Sequence, residues 1–228
     1  MISVIIPAFN EAAELPATLA ALCAQEALLE VIVVDAGSAD ATAMVAHDAG
    51  ARVISSARRQ RAAQMNLGAA AARGDALLFL HADTRLAPGA LRAMETALRQ
   101  EDVAGGGFAR RYDSPSLFLR VTCALAEVRT RLCGWFLGDQ AIFVRRNAFT
   151  ALGGFRAWDV FEDLDFSRRL ARTGRTVTLR PPVVSAARRF TPSGAVRTTW
   201  RDVALTLRYL AATRQAENVP NASLCSEP

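Results

Sequence analysis

The side chains able to do chemistry in this chain are carboxylates, and they stand at the ends of apolar runs. Leu77-Leu78-Phe79-Leu80 runs into His81-Ala82-Asp83, and Val31-Ile32-Val33-Val34 runs into Asp35. Ser3-Val4-Ile5-Ile6 breaks at Pro7-Ala8-Phe9-Asn10-Glu11. A buried strand that delivers a carboxylate at its C-terminal end is how an open α/β sheet presents a ligand to a metal or a phosphate. Asp83 suits a hard divalent cation, because Mg²⁺ or Mn²⁺ takes one or two protein carboxylates and completes its shell with phosphate and water. Its competing use is to cap the turn that follows. Asp35 could accept from a ribose or a base edge, or simply shape the turn before Gly37. Glu162, Asp163 and Asp165 open a helical pattern, where acids answer the helix dipole or supply a base. Donors at a helix start are expected to lower the pKa of Asp163 and keep it ionised. Asp139 sits between Gly138 and Gln140, just before the apolar run 141–144.

The elements that must position these groups alternate in type. Strands are predicted at 2–6, 30–35, 51–55 and 76–81, with helices at about 11–24, 40–49, 61–73 and 88–100 between and after them. That βαβα rhythm implies parallel strands, right-handed crossovers and helices on both faces of a mostly parallel sheet. Ser38 or Asp40 is the expected N-cap of the second helix, and Pro88 fits the first turn of the fourth. Later come a strand entered through a flexible Gly105-Gly106-Gly107, a helix at 116–134, the strand 141–144 and a turn at Gly153-Gly154. A helix starting at Glu162 and a strand 176–179 ended by Pro181-Pro182 complete the body. A last helix at 196–214 has one apolar stripe, Trp200, Val203, Leu207 and Leu210, and a separate face of Arg197, Arg201 and Arg208. The expectation is one fused α/β domain over 1–214, with halves at 1–100 and 101–195, that helix, and a flexible tail from 215 to 228.

Several chemistries are excluded. There is no Walker loop, no G-x-G-x-x-G and no G-x-S-x-G nucleophile elbow, and only two histidines, His47 and His81. Cys23, Cys123, Cys133 and Cys225 lack metal-ligand spacing and read as reduced thiols. Met1 opens directly into a strand and no apolar run reaches the ~18 residues of a membrane span, so a cytoplasmic protein is expected. The net charge is +5, and all 27 basic residues are Arg, a residue that favours phosphate oxygens. These arginines are scattered and lack interleaved aromatics, so a specific nucleic-acid module is disfavoured.

Taken together and in order, the motifs resemble the family 2 glycosyltransferases with the type-A nucleotide-sugar fold. Pro7-Ala8-Phe9-Asn10-Glu11 is similar to that family's P-x-[FY]-N-E, and Val33 through Thr42 to its V-V-D-x-x-S-x-D-x-T. His81-Ala82-Asp83 stands where the family has D-x-D, and Gly153-Gly154-Phe155 with Glu162-Asp163 resembles G-G-F-x(n)-E-D. Arg61-Ala62-Ala63-Gln64-Met65-Asn66-Leu67-Gly68, Phe79 to Thr84, Gly138-Asp139-Gln140 and Arg188-Arg189-Phe190 resemble a compact subgroup, the radical-SAM/selenodomain-associated transferases. His81 replaces the first acid of D-x-D, Gln60 stands where Gly often precedes Arg61, and Phe190 replaces a frequent Trp.

The resemblance implies a single-domain Rossmann-like fold and inverting transfer of a sugar from a UDP- or GDP-sugar to an acceptor hydroxyl. It implies that Pro7, Phe9, Asp35 and Arg61 hold the nucleoside end and that Glu11 lies near the ribose or phosphates. Asp83 would hold Mg²⁺ or Mn²⁺ on the diphosphate, and Asp163 would be the base. Gly138, Asp139, Gln140 and Glu162 would border the acceptor. The acceptor itself is unknown; a lipid-linked one would bring the protein to the inner membrane face as a peripheral partner. The competing readings are a nucleotidyltransferase on a related sheet and an Arg-rich nucleic-acid or membrane module.

Overall fold

The computed structural model describes residues 1–190 and 194–217. The sequence's Asn221-Ala222-Ser223 sequon, Cys225 and the end of the expected tail lie outside the described residues. Two compact units are present, residues 1–187 and the segment from Arg188 on.

The first unit carries the sheet. Its strands are β1 (Ile2–Ala8), β2 (Leu29–Asp35), β3 (Arg52–Ser55), β4 (Ala76–Phe79), β5 (Thr84–Arg85), β6 (Val103–Tyr112), β7 (Ile142–Arg145) and β8 (Arg175–Ser185). They lie in the order β3-β2-β1-β4-β7-β6-β8-β5. Pairing is parallel from β3 through β4 and between β6 and β8; the pairs β4–β7, β6–β7 and β5–β8 are antiparallel. The helices are α1 (Leu15–Cys23), α2 (Thr42–Asp48), α3 (Arg61–Ala71), α4 (Ala90–Leu98), α5 (Leu117–Cys133), α6 (Arg146–Ala151) and α7 (Glu162–Leu170).

β1 is buried almost throughout, and its successive side chains point alternately to two faces, which divides the core between them. Val4, Ile6 and Ala8 pack with Leu15, Leu19 and Leu22 of α1 and Leu91 and Met94 of α4. Ile5 points the other way, with Met65 and Ala69 of α3 and Phe166 and Leu170 of α7. Helices therefore cover both faces, as the βα rhythm implied.

Four local expectations are corrected. Ala41, not Ser38 or Asp40, stands at the N-cap of α2: Ser38 Oγ is committed to the Asn10 N–H, and Asp40, one residue earlier, still accepts the Thr42 N–H (3.0 Å) with one oxygen and the Ala12 N–H with the other. Pro88 precedes α4, which starts at Ala90 behind Gly89, a glycine at φ +78°. β8 does not stop at Pro181-Pro182. A register shift between Phe108 and Arg110 of β6 lies opposite that stretch, where the ladder needs no N–H from β8. Gly105-Gly106-Gly107 is the packed middle of β6 rather than a flexible lead-in. A Cβ on Gly105 would strike the carbonyl oxygen of Phe143, and one on Gly106 that of Val177. Glycine here lets two flanking strands close on β6.

The second unit contains a short 3₁₀ turn, Arg188–Phe190, and α8 (Ala195–Glu217), three residues longer than expected at its C-terminal end. Trp200, Val203 and Leu207 of the predicted stripe are exposed. Among the described residues, no helix is long and apolar enough to cross a membrane.

Gly106→Ala should destabilise the first unit by about 1–3 kcal/mol or more, the scale of overpacking. Urea denaturation measures it, and an unchanged midpoint would show that β6 has room to spare.

Candidate active site

The strand order reverses at β1, whose chain continues to β2 and β3 on one side while β4 lies on the other. In an open sheet, ligands bind at such a switch point beyond the carboxyl ends of the strands. Three of the predicted motifs emerge at that edge: Pro7 to Glu11 from β1, Asp35 from β2, and His81 to Asp83 from β4.

The first two motifs form one structure. Asp35 is 7% exposed. One of its carboxylate oxygens accepts the N–H groups of Gly37 (3.1 Å) and Ser38 (3.0 Å); the other accepts the Ser38 hydroxyl. That uses three of roughly four lone-pair sites, leaving one directed acceptor for a ligand hydroxyl. Ser38 Oγ accepts the Asn10 N–H, and Asn10 Oδ1 accepts the Ala39 N–H, each at 2.8 Å. Asp40 and Thr42 take the N–H groups of Ala12 (3.1 Å) and Glu11 (2.8 Å). Gly37 at φ +79° makes the turn possible, and Asn10 at φ +54° is a residue type that tolerates this conformation. Phe9 is half-buried, and the Arg59 guanidinium lies 3.6 Å above its ring, a partner that sequence reasoning missed.

Asp83 is half-buried, and bonds from elsewhere fix its backbone. The Thr18 hydroxyl of α1 donates to the Ala82 carbonyl (2.8 Å), and the Ala186 N–H donates to the Asp83 carbonyl (3.0 Å). Among the described residues, no three His, Cys, Asp or Glu side chains gather into a metal cage. This donor set fits a hard cation carried mainly by substrate phosphates, with one carboxylate from the protein, and does not fit a zinc cage.

The third group gathers around α3 and α7. A small cavity is bordered by Arg61, His81, Gly138, Glu162 and Asp163. Arg61 donates to Glu162 at 3.1 Å; Glu162 is 2% exposed while Arg61 is half-exposed. Asp163 accepts the Gly138 N–H (2.5 Å) and the Leu164 N–H (2.6 Å). A Cβ on Gly138 would collide with the His81 ring and lie 3.1 Å from Asp163, so glycine keeps these two side chains in reach of one point. His81, seen in the sequence only as a missing acid, thus belongs to the site. Burial, and then the neighbouring Glu162 carboxylate, push the Asp163 pKa from 3.8 up to about 6, against the opposing pull of the Gly138 N–H and Arg61. The expected lowering by helix-start donors is reversed, because burial beside a second acid outweighs them.

Other predicted residues serve the frame. Asp139 is held by Arg110 and, at 2.7 Å, by the Tyr112 hydroxyl. Gln140 is fully buried: Arg129 donates to its carbonyl oxygen (2.7 Å), and its amide donates to the Phe108 carbonyl (3.2 Å). Both side chains hold the 3₁₀ turn that presents Gly138. Asp165 is bound by Arg169 at 2.8 Å and Arg156 at 3.4 Å. Phe161, at φ +67°, turns the chain into α7, a left-handed conformation costly for an aromatic residue and repeated at Ala141 (φ +48°).

The family model for Glycosyl transferase family 2 matches residues 3–156, more than half of the chain. The chain belongs to the family 2 glycosyltransferases. An uncharacterized protein of Mycobacterium tuberculosis, MT1568, is 29% identical over 201 residues, covering 75% of this chain and 61% of its own length. Among solved structures, the mannosyltransferase PcManGT of Pyrobaculum calidifontis, in complex with GDP-Man and Mn²⁺, superposes with a TM-score of 0.74. It is 24% identical, and the match covers 93% of this chain and 64% of that one. Glucosyl-3-phosphoglycerate synthase of Mycobacterium tuberculosis, in complex with Mn²⁺, UDP and glucosyl-3-phosphoglycerate, gives 0.59 at 22% identity, over 82% and 70%. TarS of S. aureus with UDP gives 0.65 at 16%, over 82% and 60%. This family 2 chain therefore shares their fold, and it spans less than two-thirds of the length of MT1568 and of PcManGT.

A carboxyl whose pKa is raised on folding favours the folded state below its unfolded pKa, and that advantage is lost as pH rises through the folded value. Asp163→Asn should therefore be more stable than the natural chain at pH 8 by about 1–3 kcal/mol, with the difference closing toward pH 4. Thermal melts across pH measure this; equal stability at pH 8 would contradict the assignment.

Proposed function

We propose that this protein transfers a sugar, with inversion at the anomeric carbon, from a UDP- or GDP-sugar to an acceptor hydroxyl. The observation that carries the reading is the half-buried carboxylate of Asp163, held on the Gly138 amide beside the His81 end of β4. Relatives of the same fold were solved with GDP-Man, UDP or UDP-GlcNAc, two of them with Mn²⁺.

Phe9 and Asp35 hold the nucleoside, Pro7 and the loop to Glu11 shape its seat, and the Asp35 lone pair left by its own turn takes a ribose hydroxyl. Asp83 would hold Mg²⁺ or Mn²⁺ on the diphosphate. When bound, that cation supplies Lewis-acid neutralisation of the leaving nucleoside diphosphate. Asp163 accepts the acceptor's hydroxyl proton as the new O–C bond forms and the sugar–phosphate bond breaks on the opposite face. A conjugate acid near 6 makes it a stronger base than an ordinary aspartate, yet still ionised at neutral pH. Arg61 offsets the two adjacent negative charges, and Glu162 keeps Arg61 in place. Gly138 lets the His81 ring and the Asp163 carboxylate close on one point. Within the family, the Arg61–Gly68 and Phe79–Thr84 segments support the radical-SAM-associated subgroup, and we assign the work to the cytoplasm.

A thermal-shift screen of UDP- and GDP-sugars with and without Mn²⁺ tests the reading, since a ligand of the native state raises its stability by RT ln(1 + [L]/Kd). A Mn²⁺-dependent shift should appear with at least one donor and vanish in Asp83→Ala. It should persist in Asp163→Asn, whose turnover falls by ~10²-fold or more. An equal shift in Asp83→Ala, or none with any donor, rules the reading out.

A further inference from the structure

We propose that α5 is a docking surface for an anionic phospholipid bilayer. Five large apolar side chains of this helix stand in solvent: Leu117 (70% exposed), Val121 (50%), Leu125 (63%), Val128 (53%) and Leu132 (80%). At about 100° per residue they fall within an arc of roughly 80°, so they form one continuous stripe along the whole helix. A stripe of that length on a water-soluble surface marks an interaction site.

The charges beside it select the partner. The only acid on α5 is Glu127, and it is already bound by Arg131 (2.7 Å) and Arg180 (2.8 Å). Arg129 turns inward to the Trp135 carbonyl and Gln140. The exposed charges along the stripe are then Arg120 and Arg131, on the same flank. At the N-terminal end of the helix, Arg111, Ser114 and Arg120 border an open cavity with room for a phosphate headgroup. An apolar stripe with an Arg flank is how a helix lies in the headgroup layer of an anionic membrane. A second copy of α5 fits less well, since antiparallel pairing brings two Arg flanks together with no uncommitted acid on either helix.

The placement bears on the site. From Cys133 the chain runs directly through Gly134 to Leu137 and into Gly138. The docking helix is therefore joined to the turn that presents Gly138 by residues 134–137 alone. The binding claim itself does not depend on the sugar chemistry, and its test needs no substrate.

Co-sedimentation of the full chain with vesicles of phosphatidylcholine, alone or mixed with phosphatidylglycerol, tests the proposal. The natural chain should pellet with the mixed vesicles and lose that binding as salt rises. Leu125→Glu plus Val128→Glu, and separately Arg120→Gln plus Arg131→Gln, should each lower the partition coefficient by roughly tenfold or more, α8 being unchanged in both. Melting curves establish that each variant is folded, and the arginine pair carries the test if the glutamate pair is not. Three results overturn it: natural protein left in the supernatant at low salt, undiminished binding by the folded variants, or a dimer in light scattering that the glutamate pair dissociates.

Discussion

Two adjacent carboxylates at the start of α7 share one guanidinium, and the rest of the site is arranged around that shortage. Glu162 takes the Arg61 bond and is sealed from water; Asp163 is left with two backbone N–H donors and a charged neighbour. Two acids this close cannot both ionise cheaply inside a protein, so the cost falls on the one without the cation. The pKa of Asp163 rises, which suits a base that must hold a proton briefly and release it.

That pair works only if α7, α3 and the β4 end are held in register, and α3 does much of the holding. Arg61 reaches α7. Gln64, buried, donates to the carbonyls of Ala8 (2.9 Å) and Val34 (2.8 Å), tying the ends of β1 and β2 together. Asn66 clamps Phe155 at both its N–H (2.9 Å) and its carbonyl (2.8 Å), fixing the Gly153-Gly154 turn. Gly68 has no room for a Cβ, which would lie 2.5 Å from Ile5, so α3 sits hard on the sheet. The edge-on packing of Phe155 with Phe79, ring centroids 4.7 Å apart, closes the floor below. A single helix thus carries contacts to the ends of β1 and β2 and to the acids that open α7.

The parts of this arrangement legible in the sequence were those with a local signature. Continuous apolar runs ending in Asp35 and before Asp83 announced the strands and the edge they share, and the family motifs supplied the order. Long-range pairing left no such trace. Nothing local shows that Arg61 meets a residue 101 positions away, that Asp139 is spent on Arg110, or that Gln140 is interior. Gly105 to Gly107 looked flexible because a lone sequence cannot show that two strands close on it. The sign of the Asp163 shift depends on burial, which helix-start reasoning does not contain.

The central claim is that Asp163 is a base whose proton affinity is set by burial and by Glu162. Carbon-13 NMR titration of the aspartate carboxyls, with Asp163→Asn providing the assignment, measures it directly and needs no substrate. The account predicts a midpoint near 6 that moves down in Glu162→Gln, where the like charge is gone, and up in Arg61→Gln, where the offsetting cation is gone. A midpoint at the ordinary aspartate value, or one indifferent to residue 162, would contradict it.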